Sequence, residues 1–213
     1  MQFTDDEKTA VRNAVQAAER RTRGEIVPLI LPTSARYRES SHLAGLVIAL
    51  LGLTAFMTVE YGWGPRAWAM MHSGWIVAGV LAAYLVGHAC GSWPWCVRLF
   101  TSTERMAGKV RRRAELAFYE HGLHKTREGT GILIMLSLLE RRAQILADRA
   151  INERVSPGTW EAIVHDLVEG IHNGDAVPAL CRAIAACGDI LSRHFPATAD
   201  NPNELGDDLI KGA

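Results

Sequence analysis

Two carboxylates open the question of chemistry. Glu25 begins one apolar run, and Asp148 follows the end of another that returns through the turn Glu140-Arg141-Arg142. If the returning run is antiparallel to its predecessor, its end lies beside the beginnings of its neighbours, so Glu25, Thr130 and Asp148 converge. Oxygen ligands of this kind suit Mg²⁺ or Ca²⁺, which makes Glu25 and Asp148 the candidate metal ligands. The alternative is an Asp148–Arg149 pair that finishes a strand. His165, Glu169 and His172 recur at four and three residues and share one helical stripe. That stripe lies roughly 130° from the Trp160/Val164/Leu167 face at 100° per residue, so it reads as a solvated face.

The remaining chemistry is limited by what is missing. No P-loop, GxSxG, HExxH or GxGxxG appears in a fitting context, and Gly129-Thr130-Gly131 is too short to cradle phosphates alone. Cys90, Cys96, Cys181 and Cys187 form no CxxC and have no ligand-like His spacing. They read as small buried residues, reduced in a cytoplasmic setting. Arg105, Lys109, Arg111, Arg112 and Arg113 form a basic segment without interleaved aromatics. The chain carries 23 basic and 23 acidic side chains, net zero, so no nucleic-acid partner is expected.

The elements that hold these residues follow from pattern. Thr4 and Glu7 form a capping box before Ala10, Val11, Ala14, Val15 and Ala18, an apolar helical stripe that Gly24 closes. Residues 25–31 read as a buried strand, edge-placed or bulged because Pro28 lacks a ladder donor. Residues 101–123 read as a basic helix with Val110, Ala114, Ala117 and His121 on one face and Gly122 at its end. Residues 131–139 and 143–148 read as two strands. If 25–31 and 131–139 are parallel, the 101–123 helix supplies their crossover. Ser156 with Pro157 predicts the start of a helix bearing Trp160, Val164, Leu167, Val168 and Ile171. Asn173-Gly174-Asp175 separates it from a last helix carrying Val177, Leu180, Cys181, Ile184, Cys187 and Leu191. From Pro196 the tail is polar and reads as loose.

Between the first strand and the basic helix lies a different composition. The chain is 48% hydrophobic and 22% charged with mean hydropathy +0.03, which requires the two classes to be segregated. Leu43 to Val59 and Ala67 to Val97 carry no Lys, Arg, Asp or Glu. A helix of about 20 residues spans the hydrocarbon core. Gly62-Trp63-Gly64-Pro65-Arg66 reads as the turn of a membrane hairpin. Tyr61, Trp63, Trp68 and Trp75 would mark one interface, Trp93 and Trp95 the other. The alternative, a buried hairpin in a soluble core, needs other helices to cover it. Lys and Arg cluster on both outer flanks, with Arg66 in the turn, and no secretory pattern opens the chain. The expected topology is a multi-pass inner-membrane protein with both termini cytoplasmic.

Thr22-Arg23-Gly24-Glu25-Ile26-Val27, Thr130-Gly131-Ile132-Leu133-Ile134, Glu140-Arg141-Arg142 and Asp148-Arg149-Ala150-Ile151 resemble the TPM domain. That family is named for a thylakoid-lumen protein, a photosystem-associated protein and a worm receptor modulator. The resemblance covers roughly residues 3–195 outside the hairpin. It implies a mixed sheet flanked by helices. It also implies that phosphatase or divalent-ion chemistry occurs among relatives, without a catalytic motif to transfer. This chain departs from the pattern in carrying its hairpin inside the domain.

The reading is an α/β fold: a small mixed sheet flanked by helices, with a two-helix transmembrane hairpin after the first strand. Its parts are 1–41 and 98–195 for the two halves of the domain, 42–97 for the hairpin and 196–213 for the tail. The expected function is a membrane-anchored binding or accessory module. Its partners would be the bilayer and another membrane protein. Arg36, Arg38, Arg111, Arg112, Arg113, Arg141 and Arg142 would meet headgroups. The alternative is a divalent-metal-dependent phosphohydrolase.

Overall fold

A computed structural model describes residues 4–63, 73–198, 205–206 and 208–211, without the side chains of 59–63 and 73. The chain divides into two compact units, Met1–Ala35 with Ala107–Ala213, and Arg36–Met106.

The first unit is built on a mixed sheet. Strand β1 (Glu25–Leu31) pairs in parallel with β2 (Gly131–Ser137), and β3 (Arg142–Ala147) runs antiparallel to β2. A two-residue strand β4 (Ile210–Lys211) adds in parallel to β1 at Leu29 and Ile30, giving the order β3-β2-β1-β4. Alternation along the strands sorts side chains between two layers. Ile26, Ile30, Ile132, Ile134 and Leu136 face a core shared with helices α1 (Asp5–Glu19), α7 (Thr159–Asn173) and α8 (Ala176–His194). Val27, Leu29, Leu31, Leu133 and Met135 face Val110, Ala114, Ala117 and Phe118 of α5 (Thr103–Glu120) and Leu123 of the 3₁₀ turn Leu123–Lys125. With helices on both faces, β1 and β2 are buried along their whole length, as expected of parallel strands.

Pro28 has a place in this arrangement. The Glu25 amide donates to the Thr130 carbonyl at 3.2 Å, so odd residues of β1 point their backbone at β2 and even ones at the outer edge. On that edge the Ile26 amide is taken by the Glu19 carboxylate at 2.9 Å, and Pro28 has no amide to offer. The short β4 covers the stretch at Ile30.

Several sequence expectations change. The tail is not uniformly loose: the Leu205 amide donates to Glu25 Oε2 at 3.2 Å, and Asp208 is ion-paired with Arg12 at 2.5 Å. Helix α7 starts at Thr159, capped by Gly158 at φ 87°, and not at Pro157. Helix α1 ends at Glu19, and Gly24 does a different job. A Cβ there would sit 2.7 Å from Leu191 Cδ1 and 3.1 Å from the Thr130 carbonyl, so any larger residue must push the Leu191 side chain of α8 aside and crowd the Thr130 backbone. The capping box at Thr4 and Glu7 forms as expected.

The second unit is a helix pair with a short third helix. Helix α2 (Arg38–Trp63) packs on α3 (Ser73–Cys90), and α4 (Pro94–Phe100) follows. Small residues set the contact. A Cβ on Gly87 would lie 2.8 Å from the Ala44 carbonyl and the Gly45 Cα, and one on Gly91 2.6 Å from Ser41 Cα. Such stripes let two helix backbones approach closely. Of the proposed 62–66 turn, Gly64, Pro65 and Arg66 lie outside the described residues, as does Trp68.

The multi-pass inner-membrane topology with both termini cytoplasmic is overturned. Among the described residues one helix, Arg38–Thr58, is long and apolar enough to cross a bilayer by itself. The second apolar run is not one straight span: Gly74–Cys90 and Pro94–Phe100 meet at 103°. Pro94 at the first turn of α4 fixes that break. Most of the remaining chain is the α/β fold.

Candidate functional site

The helix pair exposes what a soluble core would hide. Only 22% of the most apolar window of Arg38–Thr58 is buried. Leu43, Leu46, Val47, Leu50, Leu51 and Met57 on α2 are exposed, as are Trp75, Val77, Leu81, Leu85 and Val86 on α3, with Leu51 at 64% and Leu85 at 63%. No isolated side chain is at issue; the exposed residues run along both helices. A shallow cavity of about 190 Å³ between them is lined by Leu53, Phe56, Trp75, Ile76, Val80 and Ala83.

One end of this unit is polar and aromatic. Ser40 Oγ donates to the Tyr37 carbonyl at 2.6 Å and lies 3.4 Å from the Gly91 carbonyl, and Ser41 Oγ meets Ser92 Oγ at 3.2 Å. These bonds join the start of α2 to the end of α3. The exposed Arg36 and Arg38 therefore share an end with the exposed Trp93 and Trp95. Glu39 pairs with Arg105 at 3.9 Å. Within the apolar stretch beside this end, His42 Nδ1 lies 2.9 Å from Tyr84 Oη, and the His42 and His88 ring centroids are 4.7 Å apart.

The other basic residues sit in the α/β unit. Arg111 and Arg112 are exposed and Arg113 half-buried on α5. Arg111 is paired with Glu115 at 2.9 Å and Arg113 with Glu120 at 2.8 Å. Arg141 is exposed, and Arg142 opens β3 half-buried.

Glu25 and Asp148 do lie at one end of the sheet. Glu25 is opposite Gly131, and the Asp148 amide donates to the Gly131 carbonyl at 3.0 Å. Their strands are separated by β2, about 10 Å backbone to backbone. Each carboxylate serves the chain's own backbone. Glu25 is buried and accepts from Leu205, and Asp148 Oδ1 accepts the Arg149 amide at 2.6 Å as cap of α6 (Arg149–Asn152). The helical stripe at His165 behaves differently: His165, Asp166 and Glu169 bring ligand atoms within 4.8 Å of one another, and all three are exposed. His172 is not one of the three.

The fold is similar to the NMR structure of the BA42 protein from the psychrophilic bacterium Bizionia argentinensis. The TM-score is 0.61 at 18% identity, covering 100% of this chain and 97% of that one. At that identity the likeness shows the fold alone. No family model matches the chain, and no curated protein does.

At the opposite end of the sheet sequence reasoning missed a buried network. Glu140, read as part of a polar turn, is 6% exposed. Its carboxylate accepts from Ser137 Oγ, from the Ser34 amide at 3.0 Å and from Thr33 Oγ1 at 3.3 Å, while Ser34 Oγ donates to Ser137 Oγ at 2.6 Å. The Leu138 and Leu139 amides reach the Leu31 and Pro32 carbonyls at 3.0 Å each. This network locks the exit of β1 to the β2–β3 turn. Its signal in the sequence was an acidic residue three positions after a strand-end serine. Sequence reasoning also missed His42 and His88, which stand just before the first uncharged run and inside the second.

Proposed function

We propose that this chain is a membrane-anchored binding module, with the exposed apolar faces of the helix pair set against lipid and the α/β unit tethered to it. The observation that carries the reading is the exposed apolar surface running along both α2 and α3. Leaving it in water forfeits about 25 cal/mol for each Å² of apolar area. Arg36 and Arg38 beside Trp93 and Trp95 support it, since basic and aromatic side chains favour the headgroup region. The bend supports it too. Helix α4 buries Cys96 and Val97 and exposes Trp95 and Leu99, the amphipathic pattern of a helix lying in an interface.

The TPM reading of the α/β unit draws support from its small mixed sheet with helices on both faces. As in the sequence reading, its partner would be another membrane protein, and Arg111, Arg112, Arg113, Arg141 and Arg142 would add headgroup contact. Co-flotation with neutral and with anionic vesicles tests the anchor. The full chain should float with both, and more completely with anionic ones at low salt. A chain that stays in the dense fraction with either composition overturns the reading.

A further inference from the structure

The polar end of the helix pair holds one buried side-chain atom without a partner. Among the described residues, His88 Nδ1 is that atom. Buried polar groups are almost always satisfied, and one that is not calls for a cause. Three facts surround it. The His42 ring faces the His88 ring at a centroid separation of 4.7 Å, tilted by 40°. Tyr84 lies on the same helix as His88, one turn earlier, with ring centroids 6.0 Å apart. Its Oη is 2.9 Å from His42 Nδ1. Gly45, Gly87 and Gly91 make this convergence possible, because a Cβ at any of them would collide with the facing helix.

We infer that His42 and His88 form a binding site for a late first-row divalent ion of the Zn²⁺ or Co²⁺ type, with Tyr84 as the residue that orients His42. The separation of the rings fits. Two imidazoles on one tetrahedral ion, at metal–nitrogen distances of about 2.0–2.1 Å, place their centroids about 5 Å apart. The hydrogen bonding fits as well. Ligating histidines ordinarily commit their second ring nitrogen to an oxygen partner. His42 commits Nδ1 to Tyr84, which leaves Nε2 for the metal, and His88 contributes the unpartnered Nδ1. Water completes the coordination. Mg²⁺ and Ca²⁺ are excluded by donor type, since they take oxygen ligands, whereas imidazole suits zinc and its neighbours. Sites between two packed helices are a common location. The inference goes beyond the anchoring role and does not depend on it, because the site is formed within the helix pair.

The test uses the full chain in detergent micelles, with Co²⁺ alone and then Zn²⁺ alone as probes. Expected is one retained ion per chain after desalting, with the intense visible bands of low-coordinate Co²⁺, displaced by Zn²⁺. His42→Gln and His88→Gln should each weaken Co²⁺ binding at least about tenfold, and Tyr84→Phe about tenfold, with helix content unchanged by circular dichroism. The exposed cluster is the control: His165→Gln and Glu169→Gln should change neither stoichiometry nor spectrum. Unchanged binding in His42→Gln and His88→Gln, loss in the His165 or Glu169 variants instead, or absence of the Co²⁺ bands overturns the site. Should a variant lose helicity, the unmodified chain decides. Zn²⁺ should protect His42 and His88 from diethylpyrocarbonate, read by mass spectrometry, and lack of protection contradicts the proposal. Vesicle flotation is a separate readout, so failure of the metal site and failure of the anchor cannot be confused.

Discussion

The two units spend the same residue types in opposite ways. In the α/β unit, Ile132, Leu133, Ile134, Met135 and Leu136 are wholly buried, and every residue of β1 is buried with them. In the helix pair, Leu46, Leu50, Leu51, Leu81 and Leu85 face outward, while the helix–helix contact is left to Gly45, Gly87, Gly91 and Ala44. The first unit is held by the hydrophobic effect, which requires water outside. The second brings its helices together by close backbone approach, which works without that drive, and turns its large side chains outward. The difference teaches that apolar content alone does not identify a core. What identifies it is which residues, large or small, are turned inward.

Truncation of large side chains should separate the units most sharply. Ile134→Ala or Leu180→Ala should cost the α/β unit about 2–5 kcal/mol in urea unfolding. Leu51→Ala should change its stability by less than about 0.5 kcal/mol. Comparable losses from both kinds of change would break the comparison. Removing the buried network at the far end of the sheet should cost less. Glu140→Ala orphans the Ser34 amide and leaves Ser137 Oγ with Ser34 Oγ alone and Thr33 Oγ1 with the Ala35 carbonyl, with an expected loss of about 1–3 kcal/mol, and an unchanged denaturation midpoint would show that the lock contributes nothing.

Much of this was legible in the sequence, and the reason is period. The continuous apolar runs at 25–31 and 131–137 mark strands covered on both faces, and the spacing of Val177, Leu180, Ile184, Cys187 and Leu191 marks the inward side of a helix; the structure buries both. The parallel pairing of β1 with β2 and the antiparallel return of β3 also follow the pattern. What was not legible rests on contacts between residues distant in the chain. The tail returns because Leu205, Leu209 and Ile210 find apolar neighbours and Asp208 finds Arg12, partners that no local pattern announces. Glu140 looks like a surface turn residue until the β1 exit loop is laid over it. The bend at Pro94 is hidden because the absence of charge from 67 to 97 marks an apolar run without marking where its backbone turns. Glu25 and Asp148 were placed at one end of the sheet by strand direction, yet their backbone partners, Leu205 and Arg149, depend on the tail and on a helix cap.

A pH measurement sharpens the picture of the buried core. Burial pushes the Cys187 thiol up to about 12 from 9.0. The folded state therefore favours the neutral thiol. The stability this adds is complete below about pH 9 and is lost as pH rises towards 12. Stability should fall over that window more steeply in the unmodified chain than in Cys187→Ala, and parallel profiles would contradict it. The smallest effect is expected at the β2–β3 turn. Arg141 holds a left-handed conformation at φ 49°, so Arg141→Gly should stabilise the unit by up to about 1 kcal/mol. A destabilised variant would mean that the Arg141 side chain contributes more than its backbone costs.

The most direct test of the central claim is a photo-crosslinker carried on the acyl chain of vesicle lipids, with modified residues located by mass spectrometry. The exposed apolar faces of α2 and α3, from Leu46 to Leu51 and from Val77 to Val86, should carry the label, and α1, α5, α7 and α8 should not. Label confined to the α/β unit, or absent from both apolar helices in vesicle-bound protein, would contradict the assignment of the helix pair to the bilayer.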